Sequence, residues 1–188
     1  MSNFPESVSG VRGWVEKLIA SRRVAAEEGS SVGRPVLTSP APLDFLGDLE
    51  SIAGFSLPYD YMELLGITDG MLEFCGSLCL LGSGDWSDGK NVRLAMKVRD
   101  NYEEDGLLVE LGIAESPAML FPIGGGGGGE GDDAIFIADL GRTSLPGPIV
   151  WFRGADVFCF RGISDLFEYE IDRVAYLESG KLMTFPVE

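Results

Sequence analysis

The sequence predicts an α+β protein: a single curved, mostly antiparallel sheet with helices packed on one side, plus an N-terminal helical extension. Three observations predict it. Helical periodicity marks both ends of the chain, short apolar runs between Gly and Pro turns fill its second half, and a Gly/Ser/Pro-rich stretch follows the first helix.

In residues 8–28, Val8, Val11, Val15, Leu18 and Ile19 recur near helical spacing with Trp14 beside them. Glu16, Lys17, Arg22 and Arg23 take the other side. GSSVGRPVLTSPAP breaks this pattern. Residues 1–40 are therefore expected to be an amphipathic helix and linker, and 41–188 the main domain. From Pro42, Leu43, Leu46, Leu49 and Ile52 repeat every three residues up to Gly54, and a second helix begins at Pro58 with Asp60 in its first turn.

Residues 71–81 read as two short strands or one kinked one, GSGDWSDGK as a polar turn, and 91–104 as a helix ending on acids. Apolar runs at 107–111, 118–123, 134–140, 148–152 and 156–160 follow at hairpin-like intervals. Trp151, Phe152, Phe158 and Phe160 make their strand pair apolar on both faces, which reads as core. Ser164 is expected to cap a last helix, 165–174, with Leu166, Phe167, Ile171 and Val174 on its apolar side.

Composition narrows the chemistry. The chain of 188 residues holds no histidine, which removes the usual general base, the Ser-His-Asp and Cys-His arrangements and the commonest metal ligand. Paired carboxylates survive this cut, so a carboxylate-dependent hydrolase stays as an outside alternative. Cys75, Cys79 and Cys159 lie in apolar runs and read as buried hydrophobes in a reducing compartment. Gly84, Gly89 and Lys90 are one residue short of a phosphate loop, and Asp85 and Asp88 oppose phosphate there. No metal or cofactor is expected.

Net charge is −16, from 30 acidic and 14 basic residues. Residues 1–40 carry five basic and four acidic side chains, so the whole excess falls after residue 40. Such a chain repels nucleic acid and anionic lipid and attracts basic surfaces. No membrane-spanning stretch or signal peptide is recognisable, and a cytoplasmic location is expected. The run Gly124–Gly129, followed by Glu130, Asp132 and Asp133, reads as a hairpin loop between strands ending at Ile123 and starting at Ala134. Candidate partner-binding residues are those loop acids, the turn residues Asp85, Trp86 and Asp88, and the helix end Glu103, Glu104 and Asp105.

LESIAGFSLPYDYMELLGITDGM resembles the N-terminal signature of the SUKH superfamily, carried here by Leu49, Glu50, Gly54, Leu57, Pro58, Asp60, Tyr61, Leu64, Leu65, Asp69 and Gly70. LFPIGGGGGGEGDDAIFIADL is similar to that family's strand, Gly-rich acidic loop and strand, through Leu120, Pro122, Asp133 and Asp139. GISDLFEYEI resembles its closing helix. The resemblance covers about residues 43–175; the first forty residues and the long glycine run depart from it. It implies a structural role for Leu57, Pro58, Asp60, Tyr61, Leu65 and Gly70, no catalytic residues, and a protein-binding function. Bacterial relatives are immunity proteins against toxins, often nucleases, while fungal relatives regulate cell-wall synthesis. The expectation is an immunity protein for a basic toxin domain, with a toxin-free regulatory scaffold as the alternative.

Overall fold

Apolar residues on both faces of the central strands dictate the architecture. The structure, a computed structural model, describes residues 10–29, 33–126, 133–143, 145, 147–154 and 156–185, without the side chains of Ser87, Asp88 and residues 183–185. Among the described residues eight strands pair in sequence order, every pair antiparallel: β1 (Val36–Leu37), β2 (Met71–Cys75), β3 (Leu78–Leu80), β4 (Leu120–Gly125), β5 (Asp133–Ala138), β6 (Ile149–Arg153), β7 (Asp156–Phe160) and β8 (Met183–Phe185).

Helices cover both faces. One face presents Phe121, Ile123, Ile135, Ile137, Ile149, Trp151, Phe158 and Phe160 to α1 (Val11–Glu27), α3 (Tyr59–Leu65) and α7 (Ile163–Ile171). The other presents Leu120, Ala134, Phe136, Ala138, Val150, Phe152, Val157 and Cys159 to Ala95, Val98 and Tyr102 of α5 (Lys90–Glu104), and to Leu108 of α6 (Leu107–Glu110). The expected curved sheet with helices on one side is thus corrected: the sheet is neither curved nor closed, and it lies between two helical layers. A sheet with one wet face alternates apolar and polar residues; these strands do not.

The N-terminal helix is part of the first layer rather than a detached extension. Val11, Val15 and Leu18 are buried in the same core as Trp151 and Phe167. The Arg22 guanidinium meets Glu170 of α7 at 2.6 Å, with the two side chains 12% and 2% exposed, and Ser21 Oγ donates to the Ile171 carbonyl at 3.4 Å. Glu170 lies on the buried side of α7 because it follows Phe167 and Leu166 by three and four residues.

Three local expectations also change. In α2 (Leu43–Ala53) only Leu49 is buried, while Leu43 and Ile52 are 86% and 53% exposed. A strict three-residue repeat slips by about 60° per step on a 3.6-residue helix, so its two ends face opposite ways. Residues 107–111, expected as a strand, form the short helix α6 after Gly106, whose φ is 75°. The last helix breaks at Asp172, which accepts from Ala175 N at 3.0 Å and starts α8 (Arg173–Glu178), leaving Val174 66% exposed.

The glycine run begins inside the sheet. Gly124 and Gly125 belong to β4, and a Cβ on Gly125 would lie 2.4 Å from the Asn91 carbonyl oxygen of α5. That close approach seats α5 on the second face. Glu130 and Asp132 lie outside the described residues.

A chain beginning at residue 41 is expected to lose much of its stability, because the first face is uncovered and Glu170 loses its closest cation. Arg22→Met alone should cost about 3–5 kcal/mol by leaving a buried carboxylate whose remaining cation among the described residues is the partly exposed Arg173. Urea unfolding of both variants checks this; an undiminished midpoint in the truncated chain would refute it.

Candidate functional site

Besides Glu170, buried against Arg22, the described carboxylates include some that hold backbone and some that face solvent. Four of the first kind lie in or beside the Leu-Pro segment. Glu50 Oε1 accepts from Leu57 N at 2.9 Å, which fixes the break between α2 and α3 and seats Leu57 in the core at 7% exposure. Asp60 Oδ2 accepts from Ile163 N at 2.7 Å, so Asp60 caps α7, 103 residues away, rather than only complementing its own helix. Asp69 accepts from both the backbone N–H and the hydroxyl of Ser83, and Asp85 Oδ2 accepts from Gly82 N at 3.0 Å. Both fix the start of α4 (Ser83–Asp88), a helix where a polar turn was expected.

Pro58 precedes α3 as its N-cap residue, and Tyr61 and Leu65 are buried. Gly70 has φ +86°, and a Cβ there would lie 2.8 Å from Gly82 N. Burial raises the Asp60 carboxyl above its usual range, against the pull of its backbone hydrogen bonds. The Tyr61 hydroxyl is raised by burial and by the nearby charges of Asp69 and Asp85. Burial, reinforced by Glu170, pushes the Cys75 thiol up to about 12, and burial pushes Cys159 to about 11. These two thiols stay protonated near neutrality and are poor nucleophiles.

Trp86 is packed rather than presented. Its ring stacks on Phe121 at 5.4 Å with a 7° interplanar angle and meets Phe45 at 5.6 Å, leaving it half-buried in the first face's core. The Asp88 side chain lies outside the described residues. Asp133 sits opposite Arg153 in the β5–β6 register, and Asp156 sits opposite Arg153 on the other side, an acid-base-acid row across three strands. Such cross-strand opposite charges offset one another.

Glu103 and Glu104 at the end of α5, and Asp105 just after it, are exposed, as are Glu110 and Glu115 beyond them. The Tyr102 hydroxyl donates to Gly154 O at 2.8 Å and holds this end of α5 against the β6–β7 turn. Among the described candidates, Trp86 packs into the first face's core, whereas α5, which ends on Glu103 and Glu104, packs on the second. Among the described residues no group of three or more His, Cys, Asp or Glu is placed to hold a metal ion, and no helix is long and apolar enough to cross a membrane.

The class these features define is an α+β protein with a two-sided antiparallel sheet and an acidic helix end. No protein-family model, curated protein or solved structure matches the chain.

Missed in the sequence was the Arg22–Glu170 pair. The available signal was Glu170 itself, an acid at helical spacing from Leu166 and Phe167.

Two outcomes test these placements. Asp60 has a raised folded pKa, so its contribution to stability is fully present below the unfolded value of about 3.8 and is lost as pH rises through the folded value. Relative to Asp60→Asn, which keeps an acceptor for Ile163 N, the wild type should therefore lose stability as pH rises above about 4 in urea titrations. Parallel pH profiles would show that the cap is equally good in both charge states. Trp86→Ala should cost about 2–4 kcal/mol, somewhat below the range for a fully buried Trp; an unchanged melting temperature would return Trp86 to the surface.

Proposed function

We propose that the chain is a non-catalytic protein-binding domain, an immunity-type protein that occludes a basic, nuclease-type toxin. The SUKH resemblance supplies the class of function. The observation that carries the partner's chemistry is the charge order along α5.

A helix is stabilised by acids at its N-terminus and bases at its C-terminus. In α5 this is reversed: Lys90 and Arg93 open the helix and Glu103 and Glu104 close it, followed by Asp105. Glu103, Glu104 and Asp105 are exposed and make no ion pair with another described residue. An arrangement that works against the stability of its own helix and is not offset inside the fold is what a surface kept for recognition looks like. On a chain of net charge −16 it offers a strongly negative landing point for a basic active site. The carboxylate hydrolase gains nothing comparable: Asp60 is engaged as a helix cap and Glu170 in an ion pair.

The test is to purify the tagged chain from its native cells, identify what co-purifies, and assay it for cytotoxic enzyme activity with and without the chain. A basic toxin inhibited at one-to-one stoichiometry supports the reading; a non-toxic regulatory partner supports the scaffold alternative and overturns immunity. Replacing Glu103, Glu104 and Asp105 by Gln, Gln and Asn should raise stability by about 1 kcal/mol through the helix dipole. The same change should slow association with the toxin about tenfold at low salt and flatten its salt dependence. Stability lost and association unchanged would show that the acids serve the fold.

A further inference from the structure

Where α1 passes over the α7–α8 junction, the packing leaves a groove of about 210 Å³ lined by Trp14, Lys17, Glu168, Ile171, Asp172 and Tyr176, among others. Its volume falls below the usual range for small-molecule sites, about 300 Å³ and upward, and suits a single side chain. The walls are aromatic and aliphatic and the rim is charged. Within it Lys17 Nζ already lies over the Trp14 ring, 4.5 Å from the centroid. The groove therefore holds a cation on an aromatic face, supplied by the chain itself.

The other rim groups are accounted for. Glu168 is bridged by Lys181 at 2.8 Å, and Lys181 lies 5.8 Å over the Tyr176 ring. Asp172 uses Oδ1 to cap α8 through Ala175 N. Its Oδ2 is engaged by none of the described residues, and Asp172 is exposed beside the groove.

We propose that this groove takes an arginine side chain from a basic protein partner, with the methylene stem along Ile171, the guanidinium stacked on Trp14 in place of Lys17, and Asp172 Oδ2 as its acceptor. The proposal rests on the reading above for the class of partner and adds a second contact, on the opposite face from the α5 acids. Guanidinium is the better occupant because it is planar, stacks on indole and is more weakly hydrated than the ammonium it displaces. Lys17 has a long flexible stem and reaches solvent when displaced. The groove exists only while α1 is docked, which gives the N-terminal helix a binding role besides its structural one.

The test uses the full chain and a blocked tetra-arginine peptide, followed by the amide and indole N–H shifts of the protein. The expected result is saturable shifts at the Trp14 indole and the Ala175 amide. Trp14→Leu should weaken them about tenfold, since a desolvated cation–π contact is of that order. Asp172→Asn, which keeps a good helix cap, should weaken binding severalfold. Lys17→Met should strengthen it severalfold by removing the internal competitor, whereas Lys97→Met, which changes net charge equally, should not. Shifts confined to Glu103–Asp105, an equal response to a tetra-norleucine peptide, or equal effects of the two Lys variants would overturn the proposal. Its failure is separable from that of the proposed function. A toxin that binds through α5 but is indifferent to Trp14→Leu sinks the groove alone, while a groove response in a chain with no toxin partner sinks the immunity reading alone.

Discussion

Everything in this fold follows from four strands that are wet on neither face. From Leu120 to Phe160, nearly every residue of β4, β5, β6 and β7 is buried, and alternate residues point to two separate cores. Such strands cannot stand with one side open, so the chain must supply two covers. α5 and α6 provide one from the middle of the sequence. The other needs both ends: α3 and α7 leave room over the sheet that Val11, Val15 and Leu18 of α1 fill. The buried Arg22–Glu170 pair is then less a source of net stability than a device that fixes where α1 lies, since a misplaced α1 would strand a charge in the core.

The acids have two uses that composition alone cannot separate. Glu50, Asp60, Asp69 and Asp85 accept from backbone N–H groups at helix starts and chain breaks, where orphan donors would otherwise be left unpaired. The Glu50 and Asp85 ties are local, Asp69 reaches 14 residues on to Ser83 and Asp60 reaches 103 residues on to Ile163, so the Leu-Pro segment helps to position α3, α4 and α7 together. Glu170 is buried in its ion pair with Arg22, while Glu103, Glu104 and Asp105 at the end of α5 are exposed and set the field a partner meets.

The mixture of helices with an antiparallel sheet, the helices now seen at Val11–Glu27 and Lys90–Glu104 and the strands around 118–160 were legible because their apolar periodicity is strong, whereas the curved, one-sided sheet was a misreading. The two-sided cover had a signal that the expectation of helices on one side overlooked: Trp151 and Phe152, adjacent in β6, point to different cores, and a strand apolar at consecutive positions needs two roofs. What could not be read was tertiary. No local pattern says that Asp60 caps a helix 103 residues on. Trp86 sits in a polar stretch, and only the arrival of Phe45 and Phe121 makes its burial favourable. The Trp14–Asp172 groove is built from two ends of the chain and has no signature in either. The α5 acids, by contrast, were visible from the start because exposure at a helix end is a local property.

The docking of α1 has a consequence for synthesis. Its ties to α7 join residues 148 and 150 positions apart, so α1 must wait for α7 to be made before it can dock. At translation rates of about 5–20 residues per second, that wait is roughly 7–30 s. A helix of 17 residues draws most of its stability from packing its apolar side, so before α7 is made Val11, Val15 and Leu18 lack the core that later buries them. Until α7 has been made, the apolar side of α1 therefore has no place to dock on the first face, and the order of synthesis sets the order in which that core can close.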